Sequence, residues 1–380
     1  WILQEMVKSS AKYECDILQE GVRPLILLEV KWMSQYRVGI IGCGSIFPMH
    51  ARSISRQANA HLAAVCDINP ERARARADEY NCSFYVDYRE MIAQANLDVV
   101  HICTPHYLHA PMAIFAAEHG VHVLTEKPMA ISNEEAYAMI KAAEENNVVL
   151  SVIFQNRFNP GSQLVKKVME SGELGRVLAS KLSVTWQRTK EYYTGSDWKG
   201  TWDQEGGGVV INQAIHTFDL ARWFIGSEIE SVDATISTRV LGDVIEVEDC
   251  AEGIIRFENG VITCFQALNY YGCSIPVELE LHCEHGTARI IGDTGIVKFN
   301  DGREMRAVPN PKELIAYDSA KSYWGVSHIK QITDFYHALE QGIEPAVTAR
   351  DAVKTQELVS AIYESGKKRQ KAASNVEVCY

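Results

Sequence analysis

A short helical segment in the second half of the chain places three polar side chains close together. Asn212, His216 and Asp219 follow the glycines at 206–208, and at 100° per residue they share a sector of about 60°. The flanking positions are apolar, which predicts a largely buried helix whose polar groups must be paired or used. His216 is well suited to exchange a proton near neutral pH, although a histidine on such a helix can also be a hydrogen-bonded part of the core.

A lysine in the first half is the second candidate for proton chemistry. Glu126, Lys127 and Pro128 directly follow the apolar run at 121–125, which is predicted to be a strand of a parallel sheet. Open α/β sheets bind their ligands at the carboxyl ends of the strands. A partly desolvated Lys127 at that position can bind a substrate oxygen and share its proton, and Pro128 fixes the backbone that aims it. The alternative is a solvated surface lysine.

A glycine-rich turn predicts a site for a dinucleotide. The strand predicted at 37–41 leads into Gly42, Gly44 and a helix that begins near Ile46, with Phe47 at the place of the third glycine of GxGxxG. Gly42 permits a tight turn, and Gly44 lets the backbone approach a pyrophosphate at the helix N-terminus. The bulk of Phe47 leaves the packing of that helix against the strand open.

An acidic residue at the end of the second predicted strand indicates which dinucleotide is bound. Asp67 comes 23 residues after Gly44, and a carboxylate at about this spacing accepts hydrogen bonds from the adenosine ribose hydroxyls. Because a carboxylate repels a 2′-phosphate, NAD is predicted in preference to NADP. Arg72 and Arg74 lie close enough in the sequence to weaken this preference.

The nicotinamide half of the cofactor is expected beside two later turns. Thr104 and Pro105 follow the strand predicted at 99–103 and suit a loop edge, although such a pair can also be an ordinary turn. The predicted cofactor-binding residues are Gly42, Gly44, Ser45, Ile46, Asp67, Thr104, Pro105, His109, Glu126 and Lys127.

The elements that must position these residues follow two patterns. Up to about residue 154, short β-branched runs alternate with helical patterns, which is typical of βαβ units and a doubly wound parallel sheet. Later strand-like runs with hairpin turns predict a second, sheet-rich part. The first strands are predicted at 37–41, 62–67, 99–103, 121–125 and 148–154. The second part is predicted to contain a helix at 162–171, a strand at 178–186, hairpins between 229 and 299, and helices at 328–341 and 349–365 around a strand-like link at 345–347.

The composition limits the partners. The formal net charge is -12 over 380 residues, and no basic cluster is present, which argues against a nucleic-acid partner. The ten cysteines are scattered without metal-binding spacing, so we expect no metal site and reduced thiols in the cytoplasm. No apolar run reaches the roughly 18 residues that span a bilayer, and no membrane partner is expected.

Together these motifs resemble one enzyme family. The turn at 42–46, the triplet at 126–128 and the segment from Gly206 to Asp219 are similar to those of the glucose-fructose oxidoreductase / inositol dehydrogenase family (Gfo/Idh/MocA). The resemblance runs from about residue 36 to residue 368. It implies an α/β fold with an N-terminal Rossmann-type parallel sheet and a C-terminal α/β domain on a large, mostly antiparallel open sheet. That sheet is expected to form a homodimer or homotetramer interface.

The resemblance also implies a function. The chain is expected to be an NAD-dependent oxidoreductase that moves a hydride between nicotinamide and a hydroxyl or ketone of a sugar, nucleotide sugar or inositol-like polyol. Lys127 and His216 would flank the reacting carbinol, and Gln155 and Arg157 would line the cleft. Two other functions stay open, namely a glycoside hydrolase that uses NAD in an oxidation, elimination and reduction cycle, and a non-catalytic NAD-binding regulator.

Two positions in the predicted substrate site leave alternatives. Many polyol dehydrogenases of the family carry Asp where this chain has Asn212, and an amide can only orient the imidazole and bond a substrate hydroxyl. Whether Lys127 or His216 is the base therefore stays open. Trp202, with Trp198, offers an apolar face to a sugar ring, or else belongs to the core.

These interpretations divide the chain into three parts. Residues 35–156 are predicted to form the NAD-binding domain, and residues 157–380 the substrate-binding and oligomerisation domain. Residues 1–34 are assigned to an N-terminal extension of uncertain status, with Met33 close to the natural start. The alternative for this extension is a helix packed on the domain surface.

Overall fold

The computed structural model describes residues 35–310 and 327–374. The predicted N-terminal extension and Met33 lie outside the described residues. No helix in the described ranges combines the length and the apolar character needed to cross a bilayer.

The first sheet has six parallel strands in the order β3-β2-β1-β4-β5-β6, which confirms the predicted parallel sheet and adds one strand to the five predicted. Its central strands are buried on both faces because helices cover both sides. The strands are β1 Tyr36–Ile41, β2 Ala60–Cys66, β3 Ser83–Tyr85, β4 Val99–Ile102, β5 His122–Thr125 and β6 Leu150–Val152. The helices are α1 Phe47–Ile54, α2 Pro70–Tyr80, α3 Tyr88–Gln94, α4 His109–Glu118 and α5 Asn133–Glu145.

One strand of this sheet was missed. β3 has three residues, lies at the sheet edge and is largely exposed, so it shows neither an apolar run nor an alternation. The predicted strand at 148–154 shortens to β6, because Gln155–Phe158 turns into a short 3-10 helix.

The second sheet has eight strands in the order β14-β13-β12-β11-β7-β10-β9-β8. β7 and β10 pair in parallel, and the other neighbours are antiparallel, which confirms the predicted mostly antiparallel sheet. Its strands are β7 Val177–Thr185, β8 Ile229–Ser237, β9 Cys250–Phe257, β10 Ile262–Leu268, β11 Glu278–Cys283, β12 Gly286–Ile291, β13 Thr294–Phe299 and β14 Glu304–Ala307. The helices of this part are α6 Pro160–Ser171, α7 Lys190–Thr194, α8 Ile215–Ile225, α9 Ser327–Gln341 and α10 Ala349–Ser374.

Helix α9 returns to the first sheet although it falls in the range predicted for the second domain. The Gln331 side chain accepts a hydrogen bond from the Phe154 N–H at 2.9 Å and donates one to the Val152 carbonyl at 2.7 Å. Tyr336 lies in the same apolar cluster as Ile40 of β1. Helix α9 therefore packs against the first sheet.

The end of the chain differs from two predictions. Helix α10 continues to Ser374, beyond the predicted end at residue 365. The predicted strand-like link at 345–347 is wrong, because none of these residues pairs as a strand and residues 346 and 347 form bends. There the Ala346 N–H is bound by the Asp334 carboxylate at 2.8 Å instead of by a strand.

Candidate active site

The turn after β1 contains two glycines with different roles. The backbone conformation requires a glycine at position 42, whereas Gly44 leaves open space beside the turn. Gly42 has φ +97°, and a Cβ there would lie 2.5 Å from the Cys103 carbonyl oxygen. A Cβ on Gly44 would meet nothing within 4 Å. Helix α1 begins next to this turn and has no side-chain cap at its N-terminus. Its first N–H groups are bound within the turn, since Phe47 donates to the Gly44 carbonyl at 3.3 Å and Met49 to the Ile46 carbonyl at 3.0 Å.

Phe47 does not loosen the turn. Its ring is fully buried in the core and packs edge-on against Tyr80 at 5.7 Å between centroids. In other dinucleotide-binding folds, a third glycine at this position lets the helix pack closely on the sheet. Here the Phe47 side chain fills the space between the helix and the sheet.

Asp67 lies beside the glycine turn, as its spacing predicted. One carboxylate oxygen accepts the Cys43 N–H at 2.9 Å, and the other accepts the Asn69 N–H at 2.9 Å. Arg72 approaches the same carboxylate at 3.3 Å. The carboxylate is thus oriented by the turn that would hold the pyrophosphate, and one arginine lies close to it, as expected.

Lys127 reaches across to the second half of the chain. Its Nζ donates to the backbone oxygen and to the side-chain Oδ1 of Asn212, both at 3.0 Å. The Asn212 Nδ2 in turn donates to Glu205 Oε1 at 2.5 Å. Glu205 is fully buried, and its other oxygen accepts the Gly200 N–H. Burial lowers the pKa of Lys127 and raises the pKa of Glu205.

The structure brings His216 to the same place. Residues Val210–Ala214 form a π-helical turn that leads into α8, so the spacing of 100° per residue does not apply across it. Asn212 and His216 are both half-buried, whereas the residues between them are buried. Burial and the positive charge of Lys127 lower the pKa of His216 to about 3. Its imidazole is therefore neutral at physiological pH, and one ring nitrogen keeps a lone pair.

The third member of the predicted polar stripe has a different role. Asp219 is 1% exposed and forms a two-pronged ion pair with Arg157, at 2.6 and 2.7 Å. Asp351 of α10 contacts both Arg157 and Arg222. These groups join α8, α10 and the turn after β6 in one buried ionic network. Asp219 follows His216 by three residues within α8, so the two lie on neighbouring parts of the helix surface, but the Asp219 carboxylate is bound to Arg157. The expectation that Arg157 lines the substrate cleft receives no support from this geometry.

Glu126 is held by a cluster of histidines that the sequence did not reveal. Its Oε1 accepts hydrogen bonds from His50 Nε2 at 2.9 Å and from His328 Nε2 at 3.3 Å. His50 Nδ1 lies 2.8 Å from His101 Nδ1, and His101 Nε2 lies 2.9 Å from the Tyr336 hydroxyl. Burial opposes ionisation of Glu126, but the hydrogen bonds from His328 and His50 hold its pKa well below the usual range.

The same cluster has the composition of a metal site, since the ligand atoms of His50, Glu126 and His328 lie within 4.8 Å of one another. The prediction from the sequence was no metal site. A single set of tautomers satisfies the chain of hydrogen bonds from Tyr336 through the two imidazoles to the carboxylate. We therefore assign the cluster to the positioning of Glu126, which directly precedes Lys127.

His109 connects the two turns that flank the predicted nicotinamide site. Its ring is fully buried, with Nδ1 2.7 Å from the Pro128 carbonyl oxygen and Nε2 3.0 Å from that of Thr104. The peptide bond between Lys127 and Pro128 is cis. Because both ring nitrogens face backbone carbonyls, His109 supports the site from behind rather than facing a cofactor.

The other predicted substrate residues lie in different environments. Gln155 is buried, and its Oε1 has no hydrogen-bond partner among the described residues. Trp202 donates its indole N–H to the Glu246 carbonyl at 3.1 Å and packs against Tyr363, which makes it part of the second-domain core. Trp198 packs instead on His106, at 4.8 Å.

Several residues beside Lys127 were not predicted. Tyr192, with its hydroxyl 3.4 Å from Asn212 Nδ2, is one of them. Glu205 is another, and its place directly before the glycine run at 206–208 was the signal that could have identified it. His106 contacts the Glu205 carbonyl at 2.8 Å. Burial and the charge of Lys127 hold the pKa of His106 well below its usual value.

The fold and the site together define a dinucleotide-dependent oxidoreductase. Comparison with known proteins agrees. Residues 36–154 match the oxidoreductase family with an NAD-binding Rossmann fold, and residues 162–289 match the GFO/IDH/MocA C-terminal domain. The chain belongs to the Gfo/Idh/MocA family.

Three relatives illustrate what the chain is similar to. The inositol 2-dehydrogenase of Rhizobium meliloti is 27% identical over 88% of this chain and 98% of its own. The WlbA dehydrogenase of Bordetella pertussis, solved with NADH and UDP-GlcNAcA, is 30% identical with a TM-score of 0.78, over 88% of this chain and 96% of that one. Levoglucosan dehydrogenase, solved with NADH and levoglucosan, is 26% identical with a TM-score of 0.79, over 88% of this chain and 98% of that one.

The residues present fit NAD, the cofactor of this family. Gly44 leaves space above the turn, where a pyrophosphate can approach the backbone. At the other end of the site, Gln155 Oε1 and His216 Nδ1 are buried and have no partner within the described ranges. Phe154, which precedes Gln155, contacts the His216 ring at 6.0 Å. Such orphaned polar atoms suit a ligand that carries amide and hydroxyl groups.

Proposed function

We propose that the chain oxidises a secondary hydroxyl group of a sugar or inositol-like polyol, and reduces the ketone in the reverse direction, with Lys127 and His216 as catalytic residues. The observation that carries this assignment is the contact of Lys127 with Asn212, one turn before His216. It joins the end of the parallel sheet to the helix with the neutral imidazole. NAD, when bound, supplies the hydride acceptor.

We assign His216 as the base and Lys127 as the donor to the substrate oxygen. The neutral imidazole has an unpartnered, buried Nδ1 and is a weak base, but the substrate hydroxyl becomes strongly acidic as hydride leaves its carbon, so the ring can take the proton at that stage. The Lys127 ammonium uses two donors on Asn212, which leaves its third donor for the oxygen that becomes the ketone. Asn212 orients the lysine, and Glu205 compensates its charge through the Asn212 amide. The Asn212 side chain thus lies between the Lys127 ammonium and the Glu205 carboxylate and is hydrogen-bonded to both.

Two further roles follow from the contacts. Glu126 and His109 position the turn that carries Lys127, and Gln155 faces the nicotinamide and substrate side of the site. Arg157 holds α8, which carries His216, through its ion pair with Asp219. Thr104, Pro105, Ser45 and Ile46 complete the cofactor site.

The substrate class is supported by the relatives, which are named for an inositol, an anhydrosugar and a nucleotide sugar complex. A panel of inositols, free sugars and UDP-sugars, each incubated with NAD, tests it. We expect NADH to appear at 340 nm with at least one ring polyol or sugar. Turnover of a glycoside without net NADH would instead support the glycoside-cleaving cycle.

Asp67→Ser is expected to reduce the preference for NAD over NADP. The carboxylate that repels a 2′-phosphate is removed, while Arg72, at 3.3 Å in the native protein, becomes available to that phosphate. We expect the ratio of kcat/KM for NAD to that for NADP to fall by about 100-fold, the loss of one charged contact. Asp78→Ser, on the same helix as Arg72 but outside the glycine turn, is the control. An unchanged ratio would remove Asp67 from cofactor discrimination.

The chain is proposed to form a homodimer or homotetramer through the second sheet. On β10, Thr263 and Phe265 are buried, whereas Ile262, Cys264 and Gln266 are exposed. One face of the sheet is thus not covered by the described part of the chain, and a second copy offers the same apolar and polar pattern. Such a face is a common interface in two-fold oligomers.

Cys264→Glu is expected to split this oligomer, because it adds a charge at the middle of the uncovered face. Size-exclusion chromatography with light scattering should show a dimer or tetramer for the native chain and a smaller species for the variant. Val240→Glu, at an exposed position outside the strands, should leave the mass unchanged. A monomeric native chain would contradict the proposal.

The boundary near residue 156 between the NAD-binding and substrate-binding domains remains part of this proposal, with α9 returning to the first of them. We also place the protein in the cytoplasm, since the cysteines of the described part are free thiols.

A further inference from the structure

Arg188 lies three residues after the end of β7. Its backbone N–H donates to the Asn269 carbonyl at 2.7 Å, which fixes the position of the residue. The guanidinium lies over the rings of Trp186 and Tyr192, with its central carbon 4.8 and 5.0 Å from the ring centroids. Two aromatic faces therefore hold this cation in place.

A short series of contacts connects Arg188 with Lys127. The Tyr192 hydroxyl lies 3.4 Å from Asn212 Nδ2, and Asn212 Oδ1 lies 3.0 Å from Lys127 Nζ. Arg188 is thus separated from the catalytic lysine by one tyrosine side chain and one amide. Its charge also acts on Lys127, since it contributes to the lowered pKa of that amine, after burial.

The guanidinium has unused donors. Nη1 donates to the Gln187 carbonyl at 3.0 Å, but the Nε–H is buried and has no acceptor among the described residues. No carboxylate in the described ranges lies within ion-pair distance of Arg188. Glu205 is already bound to Gly200 and Asn212, and Glu126 to two histidines.

An unpaired guanidinium edge is adapted to one class of ligand. Nε and Nη2 lie on the same edge of the planar guanidinium and can donate two parallel hydrogen bonds to an oxyanion. Lys199 adds positive charge at the same place, with Nζ 3.8 Å from the Tyr192 ring centroid. Three cations thus surround Tyr192 and Asn212 in a chain whose net charge is -12.

We propose that Arg188 forms a subsite for an anionic substituent of the substrate, a carboxylate or phosphate carried by the sugar that is oxidised at the Lys127 and His216 site. This inference rests on the proposed function and narrows it from sugars in general to acidic sugars. Tyr192 stacks between the subsite and the reacting carbon and sets the distance between them.

The test compares sugars that differ in one group. The free sugars are glucose, glucuronate and glucose 6-phosphate, which carry a hydroxymethyl, a carboxylate and a phosphorylated hydroxymethyl group at the same ring carbon. Two pairs of nucleotide sugars repeat the comparison of hydroxymethyl with carboxylate, namely UDP-glucose with UDP-glucuronate and UDP-GlcNAc with UDP-GlcNAcA. Initial rates of NADH formation give kcat/KM for each. We expect an acidic member to exceed its neutral parent by about 100-fold, the effect of one charge-assisted, two-pronged contact. The carboxylate and phosphate members show which oxyanion is preferred.

Arg188→Met should remove this preference, mainly by raising KM, and Arg188→Lys should restore part of it because charge returns without the paired donors. NADH binding, followed by fluorescence, should stay native in both variants. Arg176→Met, an exposed arginine paired with Glu284, is the matched control. A neutral sugar as best substrate, or an unchanged acid-to-neutral ratio in Arg188→Met, would overturn the subsite alone. If the enzyme binds NADH but oxidises none of the sugars in the panel, the result would count against the proposed function instead.

Discussion

Lys127→Met is expected to lower kcat for sugar oxidation by about 10³-fold or more while NADH binding stays within a few-fold of native. Loss of an acid–base group and of a hydrogen bond to the developing ketone oxygen has effects of this size. Methionine keeps most of the volume and the apolar contacts of the side chain, so Asn212 and the helix behind it should remain in place.

The comparison needs steady-state rates and a separate binding measurement. NADH fluorescence reports binding, and thermal unfolding reports folding. Lys141→Met, at an exposed position on α5, is the control for removing a lysine. Native turnover in Lys127→Met would remove this residue from the mechanism, and a loss of NADH binding in parallel with turnover would assign it to the cofactor instead.

His216→Gln should give the second large effect, a fall in kcat of about 10² to 10⁴-fold, because the base is lost while a polar side chain of similar size remains. Binding of NADH should again be retained. His337→Gln, exposed on α9, is the matched control. A native rate in His216→Gln would leave Lys127 as the base, which is the alternative that the sequence left open.

The dependence of kcat/KM on pH tests the same assignment. The pKa of His216 is lowered to about 3, so the imidazole stays neutral and active as pH falls through 6.5, and no acidic limb is expected there. The pKa of Lys127 is also lowered, chiefly by burial. The activity that depends on its ammonium is therefore present at neutral pH and is lost as pH rises, below the usual 10.5. An acidic limb near pH 6.5 that disappears in His216→Gln would contradict the buried, neutral imidazole.

The two halves of the active site depend on supports that lie far from them in the sequence. Glu126 is held by His50 of α1 and His328 of α9, and α8 is held by Arg157 from the turn after β6. Each support crosses between elements that are distant in the chain. Displacement of either is expected to move Lys127 relative to His216.

The sequence by itself determined the local features. A glycine with positive φ, a carboxylate at a strand end and a triplet after an apolar run are local requirements, so Gly42, Asp67 and Lys127 were predictable from type and spacing. The alternation of strands and helices likewise predicted both sheets, because burial imposes its period on neighbouring residues.

Only the tertiary structure decided which polar groups meet. The π-helical turn at Val210–Ala214 changes the phase of the helix, so Asn212 turns to Lys127 while Asp219 turns to Arg157. Glu205, Arg188 and the histidines around Glu126 come together from separate elements, and no short-range pattern records such encounters. The physical reason is that hydrogen bonds and charges act over a few ångströms in space, whatever the separation along the chain.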